Sequence, residues 1–204
     1  MIGYLLFTVS LFICSVFAEV PFIHKCLSTD STCVKQSAQA ALPIIAAGIP
    51  EYKIQSLDPL HIDKIDASSS QLKFTSTDIV ITGLGNCVME ELERNAANLK
   101  IITGVVCDVD YKSKYEMHGQ LLIVPIQGKG DMHVVLPQIY IHLDSDIVAK
   151  VDKNGQKHWH VKKYTYKHTL RGEPTIELTN LFEGNEVLGR AARSILKTNP
   201  KDIV

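Results

Sequence analysis

The sequence predicts an α+β fold in which one long, curved antiparallel sheet is accompanied by short helices near its two ends. A chain of 204 residues, 46% of them hydrophobic, can bury one sizeable core and leaves little room for a second. From about residue 52 to residue 170 the hydrophobic pattern has a period of two, which indicates strands. Alternating runs of about twelve residues exceed the usual ~5–6 of a strand, so we expect the sheet to curl.

The charge balance argues against one class of partner. Lys and Arg number 21 against 22 Asp and Glu, which gives a formal net charge of −1. Proteins that bind a phosphate backbone usually carry a strongly basic face, so nucleic acid is not an expected partner. The same composition excludes collagen-like and wholly disordered classes.

The first element is predicted to be a secretory signal peptide over residues 1–18. This stretch has no charged side chain, contains the apolar run Tyr4–Ile13, and places Val16 and Ala18 where signal peptidase inspects its substrate. A membrane anchor is the alternative, but the run is shorter than the roughly 20 residues that span a bilayer. We therefore expect a secreted protein without stable membrane insertion, in which residues 19–204 form one domain.

Secretion changes how the cysteines are interpreted, because disulfides persist in oxidising compartments. Removal of the signal peptide leaves Cys26, Cys33, Cys87 and Cys107, which allow three pairings. The short loop between Cys26 and Cys33 favours a local bridge, and the other two cysteines would then pair with each other. A zinc site has little support, because the spacings are not those of a Cys-x-x-Cys knuckle.

A helix is predicted to follow the first cysteines. Asp30 or Ser31 can cap its start, Pro43 would bend it and Gly48 would end it. Apolar side chains recur along it at helical spacing and define one dry side. These residues are Val34, Ala38, Ala41, Leu42 and Ile45.

Four segments carry the strand alternation. In Leu99–Tyr111 the odd positions are mostly apolar, whereas Asp108 and Asp110 lie among the even ones. One face of this strand is therefore expected to be dry and the other wet. The other segments are Tyr115–Leu121, Ile139–Asp144 and, more weakly, Trp159–Leu170.

Residues 95–98 are predicted to be the tip of a hairpin. A hairpin centred near residue 97 places Cys87 almost opposite Cys107, where two side chains share a face. A cross-strand disulfide is then feasible. A slip of one residue in register would instead place the two sulfurs on opposite faces.

Helical spacing returns from Asn185 to Thr198, and Pro200 is expected to stop this helix. Two alanines in its apolar stripe favour packing against the sheet over lying on a membrane surface. The expected apolar side consists of Val187, Leu188, Ala191, Ala192, Ile195 and Leu196, and the basic side of Arg190, Arg193 and Lys197.

The sequence contains no Gly-x-Ser-x-Gly elbow, His-Glu-x-x-His pair or Walker loop, so we expect neither an enzyme nor a cofactor. Gly83-Leu84-Gly85 lacks the third glycine of a dinucleotide fingerprint, and Gly128-Lys129-Gly130 is predicted to be a tight turn. His158 and His160 share one side of a strand. Two imidazoles do not make a metal site, so a solvated face is the favoured interpretation and no metal is expected.

Several segments recur in a characteristic order. Phe22–Cys26 is followed by Cys33-Val34-Lys35, and five more follow along the chain: Ala47–Glu51, Leu57–Leu60, Gly83–Asn86, Leu121–Gly130 and Asn180–Asn185 with Leu188-Gly189. In their order along the chain and in their residues, these segments resemble the insect takeout and juvenile-hormone-binding protein family. The resemblance spans essentially the whole mature chain.

The resemblance implies a super-roll of the tubular lipid-binding type, in which a long curved sheet wraps around a helix and encloses an apolar tunnel. It implies a secreted, non-enzymatic carrier, in haemolymph or another extracellular fluid. The ligand would be small and hydrophobic: a juvenile-hormone-like terpenoid, a fatty acid or a prenyl quinone. The pair Cys26 and Cys33 matches the family's N-terminal disulfide, whereas Cys87 and Cys107 are not usual family cysteines.

The resemblance also implies a difference at the C-terminal end. Family chains usually continue into a long helix that packs along the concave sheet. This chain therefore resembles a shortened member, in which an apolar strand face could be left exposed or covered by a partner.

The candidate ligand-binding residues are the side chains assigned to inward faces. Two alternatives stay open: a fully packed core without a cavity, and a secreted interaction module that docks a receptor or membrane through its open sheet or basic C-terminal helix. Tyr140 is the candidate that offers a polar group. The full set is Phe22, Ile23, Leu42, Ile45, Leu60, Phe74, Ile101, Val105, Val109, Leu121, Ile123, Ile139, Tyr140 and Ile141.

Overall fold

The computed structural model describes residues 22–27, 29–95, 99–121 and 124–198. Within these ranges the chain forms a seven-stranded antiparallel sheet with a helix before it and a helix after it, which confirms the α+β prediction. The helices are α1 (Ser31–Ala47) and α2 (Glu186–Thr198). The strands are β1 (Leu60–Asp66), β2 (Leu72–Thr82), β3 (Val88–Asn95), β4 (Lys100–Leu121), β5 (Val124–Val151), β6 (Lys157–Leu170) and β7 (Thr175–Leu178).

The predicted signal peptide, residues 1–18, lies outside the described residues. In the part of the chain that is described, none of the helices combines the length and the apolar character needed to span a bilayer.

Helix α1 begins and ends where the sequence predicts. The Asp30 carboxylate accepts a hydrogen bond from the backbone N–H of Cys33 at 2.9 Å, which is an N-cap. Gly48 follows the last helical residue with a φ of 89°, a left-handed conformation that glycine adopts without strain. Pro43 lies within the helix.

Strands β4 and β5 are much longer than the alternation predicts, with 22 and 28 residues. Strand β4 pairs with β5 along its whole length, from Lys100 opposite Asp146 to Leu121 opposite Val124. The prediction of a tight turn at residues 128–130 is wrong, because this segment lies inside β5. The glycines are needed for close packing: a Cβ at Gly130 would lie 2.5 Å from Thr179 Oγ1.

Irregularities in pairing interrupt the long ladders. One lies opposite Asp108, where the chain at Gln138 takes a φ of 50° and its N–H donates to the Asp108 carboxylate at 2.7 Å. A second lies in β2 between Thr77 and Val80. Bulges bend a strand and increase its twist, so they account for the curvature that such long strands need.

The hairpin register near the cysteines is the predicted one. Val88 pairs with Val106, which places Cys87 opposite Cys107, and the two form a disulfide with Cα atoms 4.3 Å apart. Cys26 and Cys33 form the second disulfide. The register shifts by one residue beyond Met89, closer to the tip, so the prediction holds where the disulfide needs it.

We call the face of the sheet that carries the odd residues of β4 the inner face, because both helices pack against it. It holds two clusters of buried side chains. The cavity-side cluster is Cys87, Cys107, Val109 and Ile139. The filled cluster is Tyr115, Met117, Ile126, Leu178, Leu181 and Ala192.

Helix α2 packs with only part of its predicted apolar side: Ala192 is buried, Ala191 is exposed, and the Ile195 and Leu196 side chains are not described. Gly189 and Ala192 are buried, whereas Val187 and Leu188 are exposed. Small residues allow the helix to approach the segment around Leu181 closely, and this packing overrides the larger apolar side chains. Asn185 caps the helix by accepting hydrogen bonds from the N–H groups of Val187 and Leu188.

Candidate functional site

A partly open cavity of about 670 Å³ lies between α1 and the inner face of the sheet. Its walls are almost entirely apolar, and its polar side chains are only those of His24 and Ser37. The lining residues are Ile23, His24, Cys26, Val34, Ser37, Ala38, Ala41, Leu42, Ile45, Ala46, Leu57, Leu84, Cys87, Met89, Leu92, Val105, Cys107, Ile141 and Leu143.

Helix α1 forms the roof of the cavity with one continuous stripe. Residues three and four apart in a helix lie on the same side, and the lining positions follow that spacing. The stripe consists of Val34, Ser37, Ala38, Ala41, Leu42, Ile45 and Ala46. Three of these are alanines, and their small side chains leave space between the helix and the sheet.

Polar contacts at the sides of α1 hold it at a distance from the sheet. The Gln39 side chain accepts a hydrogen bond from Met89 N–H at 2.6 Å and donates one to the Cys87 carbonyl at 3.0 Å. At the far end, the Ala46 carbonyl accepts hydrogen bonds from the N–H groups of Leu57 and Asp58. Hydrogen bonds outside the cavity therefore hold the helix in place. Its position does not depend on side chains that fill the space beneath it.

Asp58 connects two loops that border the cavity. Its carboxylate accepts hydrogen bonds from the backbone N–H groups of Gly83, at 3.1 Å, and Gly85, at 2.7 Å. A Cβ at Gly85 would lie 3.0 Å from the Asp58 carboxylate, so glycine permits this contact. Gly83-Leu84-Gly85 is therefore a carboxylate-binding turn that positions Leu84 in the cavity wall.

The segment before α1 closes one side. The Ser37 hydroxyl donates to the His24 carbonyl at 3.0 Å and accepts from the His24 N–H at 2.9 Å. The Cys26–Cys33 disulfide ties the same segment to the first turn of the helix. Both contacts place Ile23 at the rim, where it remains half exposed.

The floor consists of β3, β4 and β5. Val105 lies opposite Ile141 and Cys107 opposite Ile139, so these side chains project from one face toward the helix. The Cys87–Cys107 disulfide is buried and belongs to this floor. Both disulfides thus border the cavity, one at the rim and one beneath it.

Two charged pairs near the sheet lie outside the cavity lining. Arg171 donates two hydrogen bonds to Glu90, at 2.7 and 2.8 Å, and these lower the pKa of the Glu90 carboxyl. The Asp110 carboxyl has its pKa lowered chiefly by a hydrogen bond to His133. Among the described residues, no three His, Cys, Asp or Glu side chains are placed to hold a metal ion.

The structure brings five of the fourteen predicted residues into the cavity: Ile23, Leu42, Ile45, Val105 and Ile141. Val109 and Ile139 lie beside the floor in the cavity-side cluster. Phe74 packs against the filled cluster instead. Phe22, Leu60 and Ile101 do not line the cavity, the Leu121 side chain is not described, and Ile123 lies outside the described residues.

Tyr140 lies on the outer face of the sheet. Side chains alternate along a strand, so Tyr140 must point away from the face that carries Ile139 and Ile141. Its hydroxyl donates to the Glu91 carboxylate at 3.0 Å, and the Arg171 guanidinium lies 4.4 Å from its ring centre. Burial and the hydrogen bond to Glu91 raise the pKa of Tyr140.

The cavity residues missing from the predicted set lie on the sheet side and the segment before α1, on α1 itself, and in loops. The first of these groups consists of His24, Cys26, Cys87, Met89, Leu92, Cys107 and Leu143. Val34, Ala38 and Ala41 belong to the predicted helical stripe; Ser37 lies within it, three residues after Val34, and Ala46 directly follows Ile45. Leu57 and Leu84 lie in loops without periodicity. Their positions depend on the Asp58 hydrogen bonds, for which the sequence gives no spacing signal.

A second cavity, of about 770 Å³, is of a different chemical kind. Its walls carry charged and polar side chains, including Lys73, His118 and Glu183, and the Lys129 ammonium is 3.0 Å from Glu116. Its charges are mixed in sign, so it does not select for one class of ligand.

Comparison with known proteins agrees with these features. The family model described as haemolymph juvenile hormone binding protein (JHBP) matches residues 5–204 of the chain. Over 189 residues the chain is 25% identical to the circadian clock-controlled protein daywake of Drosophila melanogaster, covering 85% of this chain and 71% of that protein. It is 25% identical over 168 residues to the juvenile hormone-binding protein of Manduca sexta, covering 76% and 68%.

The chain is also similar to a solved structure. The crystal structure of Epiphyas postvittana Takeout 1 matches with a TM-score of 0.85 and 31% sequence identity, covering 89% of this chain and 84% of that one. This match shows that the long curved sheet and its helices form the super-roll that the sequence resemblance implies.

Proposed function

Because the chain belongs to the haemolymph juvenile hormone binding protein family, we propose that it is a secreted carrier that holds a small hydrophobic ligand in the cavity under α1. The family relationship supports hydrophobic ligand binding in general. The observation that assigns binding to a place in this chain is the apolar cavity of about 670 Å³, which the side chains of the described residues leave unfilled. This volume is within the range of roughly 300–1,000 Å³ that is typical of small-molecule sites.

The wall chemistry selects the class of ligand. The Ser37 hydroxyl already accepts from the His24 backbone N–H and donates to the His24 carbonyl, which leaves the His24 imidazole as the one further polar side chain of the lining among the described residues. Affinity must then come mainly from removing apolar surface from water, at about 0.8 kcal/mol for each buried CH₂ group, less the cost of association. A terpenoid, a fatty acid or a prenyl quinone each presents such a surface.

The tunnel that the resemblance implies corresponds, in this proposal, to the same cavity. The filled cluster around Leu181 blocks the far half of the inner face, so the ligand would lie along α1. We place its apolar body against the floor of Val105, Cys107 and Ile141.

The proposal includes an extracellular location. Two disulfides border the cavity, and disulfides persist in oxidising compartments. Residues 1–18 would be the signal peptide and residues 19–204 the carrier domain.

The test compares two substitutions on the same helix. Ala38 lines the cavity, whereas Ala40 is exposed on α1. Ala38→Phe should lower the uptake of a fluorescent fatty acid by about tenfold, because its ring takes up volume that the ligand would fill, and overpacking the occupied site costs roughly 1–3 kcal/mol. Ala40→Phe should leave uptake unchanged, and circular dichroism of both variants checks that they fold.

Native mass spectrometry and organic extraction of the purified protein supply the second measurement. A co-purifying lipid-like molecule, released on extraction, is the expected result. A chain that carries nothing and takes up no fatty acid would count against the carrier, as would equal effects of Ala38→Phe and Ala40→Phe.

A further inference from the structure

The β5–β6 hairpin forms one free edge of the sheet. Strand β6 pairs with β5 on one side, and no strand among the described residues pairs with its other side. Every residue of β6 is exposed except Leu170, which is half-buried. Side chains from both faces of this strand, together with the turn over residues 152–156, can therefore reach whatever lies beyond the edge. We call this region, residues 150–167, the β6 edge.

The β6 edge carries large aromatic side chains in contact with water. Trp159 is 57% exposed, Tyr164 63% and Tyr166 65%. They project from the inner face of the strand, because Tyr166 lies opposite Leu143 and Trp159 opposite Ala149. Val151 and Val161 are exposed beside them. An exposed row of this kind marks an interaction surface.

The same edge is strongly basic. It contains the six lysines Lys150, Lys153, Lys157, Lys162, Lys163 and Lys167 and a single acidic residue, Asp152. The Asp152 carboxylate is occupied by the turn, since it accepts hydrogen bonds from the N–H groups of Asn154 and Gln156 and contacts His158 at 3.0 Å. This concentration of positive charge occurs in a chain whose formal net charge is −1.

Neighbouring groups add to the positive charge and do not cancel it. The Arg94 guanidinium lies over the Trp159 ring, 4.5 Å from its centre. The nearby carboxylates on β5, those of Asp144 and Asp146, are within 3.0 and 3.6 Å of Lys100. In the described part of the chain, none of the six lysines belongs to an ion pair.

We propose that the β6 edge docks on the surface of an anionic phospholipid bilayer. Trp and Tyr are amphipathic and favour the interface between headgroups and acyl chains, while lysines near such a surface are attracted to anionic headgroups. The edge offers both kinds of side chain from one strand. A soluble polyanion would use the lysines and would leave the exposed aromatic row without a role.

Docking would also place the cavity close to the membrane. Tyr166 lies directly opposite Leu143, and His168 opposite Ile141, and both partners line the cavity. If the carrier proposal holds, an apolar ligand would have a short route between bilayer and cavity. This last step rests on the proposed function, whereas docking itself does not.

The single tryptophan of the sequence makes the test direct, because Trp159 is the only source of tryptophan fluorescence. The protein is titrated with vesicles of phosphatidylcholine containing phosphatidylserine. We expect a blue shift of the emission, quenching by brominated lipid, and weaker binding at high salt. Vesicles of phosphatidylcholine alone should bind much more weakly.

Two variants separate the contributions. Replacing Lys162, Lys163 and Lys167 by Gln should weaken vesicle binding on the order of 100-fold, since each lysine near an anionic surface contributes about fivefold. Trp159→Ser should also weaken vesicle binding. Vesicle flotation measures this, because the variant has no tryptophan fluorescence. The matched controls are Lys64→Gln on the opposite edge strand β1 and the exposed Tyr52→Ser, which should have no effect.

Several results would overturn the proposal. These are equal binding to neutral and anionic vesicles, no fluorescence shift, or equal losses in the controls. Loss of vesicle binding in the lysine variant with no loss in Trp159→Ser would show that the aromatic row takes no part in docking, and a dimer that Trp159→Ser dissociates would indicate a second copy as the occupant. Ligand uptake is measured separately in vesicle-free solution, so failure of docking and failure of the carrier proposal are distinguishable.

Discussion

The two halves of the inner face start from the same strands and end with different interiors. Around Leu181 the side chains of β4, β5, β7 and α2 fill the space, and Leu181 itself is 1% exposed. Around Val105 the same two long strands face α1 across an empty volume of about 670 Å³. A hydroxyl cluster separates the halves: Ser76 lies 2.7 Å from the Tyr111 hydroxyl and 2.8 Å from that of Ser113.

The difference follows from what covers each half. The filled half is covered by a chain segment that approaches closely, because Gly128 and Gly130 leave room for Thr179 and Leu181. The half around Val105, which we call the hollow half, is covered by α1. Hydrogen bonds hold this helix at its sides, and its alanines face the sheet. Hydrophobic composition alone therefore does not decide whether a curved sheet encloses a core or a cavity.

The largest expected effect tests whether the filled half carries the stability. Leu181→Ala should lower the free energy of unfolding by about 4 kcal/mol, because the tightly packed site leaves a cavity behind. Leu42→Ala should cost only about 1–2 kcal/mol, because the Leu42 side chain is half-buried and already borders the cavity under α1. Urea unfolding of both variants measures the two values, and equal losses would contradict the comparison.

The next effect concerns the floor of the hollow half. Replacing both Cys87 and Cys107 by Ala should cost about 3 kcal/mol, because the bridge closes a chain loop with a sequence separation of 20. Replacing Cys26 and Cys33, with a separation of 7, should cost less. Thermal unfolding under non-reducing conditions compares the stabilities of the two double variants. A larger loss of stability for the shorter loop would contradict the expected order.

The smallest effect is pH-dependent and belongs to the filled half. Burial raises the pKa of Tyr115 to about 12, and its hydroxyl donates to the Thr179 carbonyl at 2.6 Å. Because the folded-state pKa lies above the unfolded value of about 10, the stabilisation is complete below pH ~10 and is lost as the pH rises toward ~12.

Tyr115→Phe should therefore reduce the alkaline loss of stability, while costing about 1 kcal/mol at neutral pH through the missing hydrogen bond. Unfolding curves between neutral and alkaline pH, with an ultraviolet absorbance titration of the tyrosines, provide the measurement. An unchanged alkaline profile would show that Tyr115 is not the responsible group.

The success of sequence interpretation differed between these regions for physical reasons. The bounds of α1 were predictable because Asp30 and Gly48 are local signals, and its apolar stripe named most of the cavity roof. Strand β5 is longer than the sequence predicts, because Gly128 and Gly130 resemble a turn signal. Their small size instead admits a neighbouring segment. Helix α2 buries Ala192 of its predicted side together with Gly189, and not the larger Val187 and Leu188, because small residues permit the close approach.

The sequence by itself determined the alternation that makes a two-faced sheet, the caps of α1 and the family to which the chain belongs, and it made the Cys87–Cys107 pairing feasible. Those features depend on neighbours along the chain or directly across a hairpin. Only the tertiary structure decided which half of the inner face is filled and that Leu57 and Leu84 join the cavity wall. Only it also showed that the aromatic and basic side chains of β6 share a free edge. These depend on contacts between segments far apart in sequence, where a few hydrogen bonds and the size of a side chain set the distance between layers.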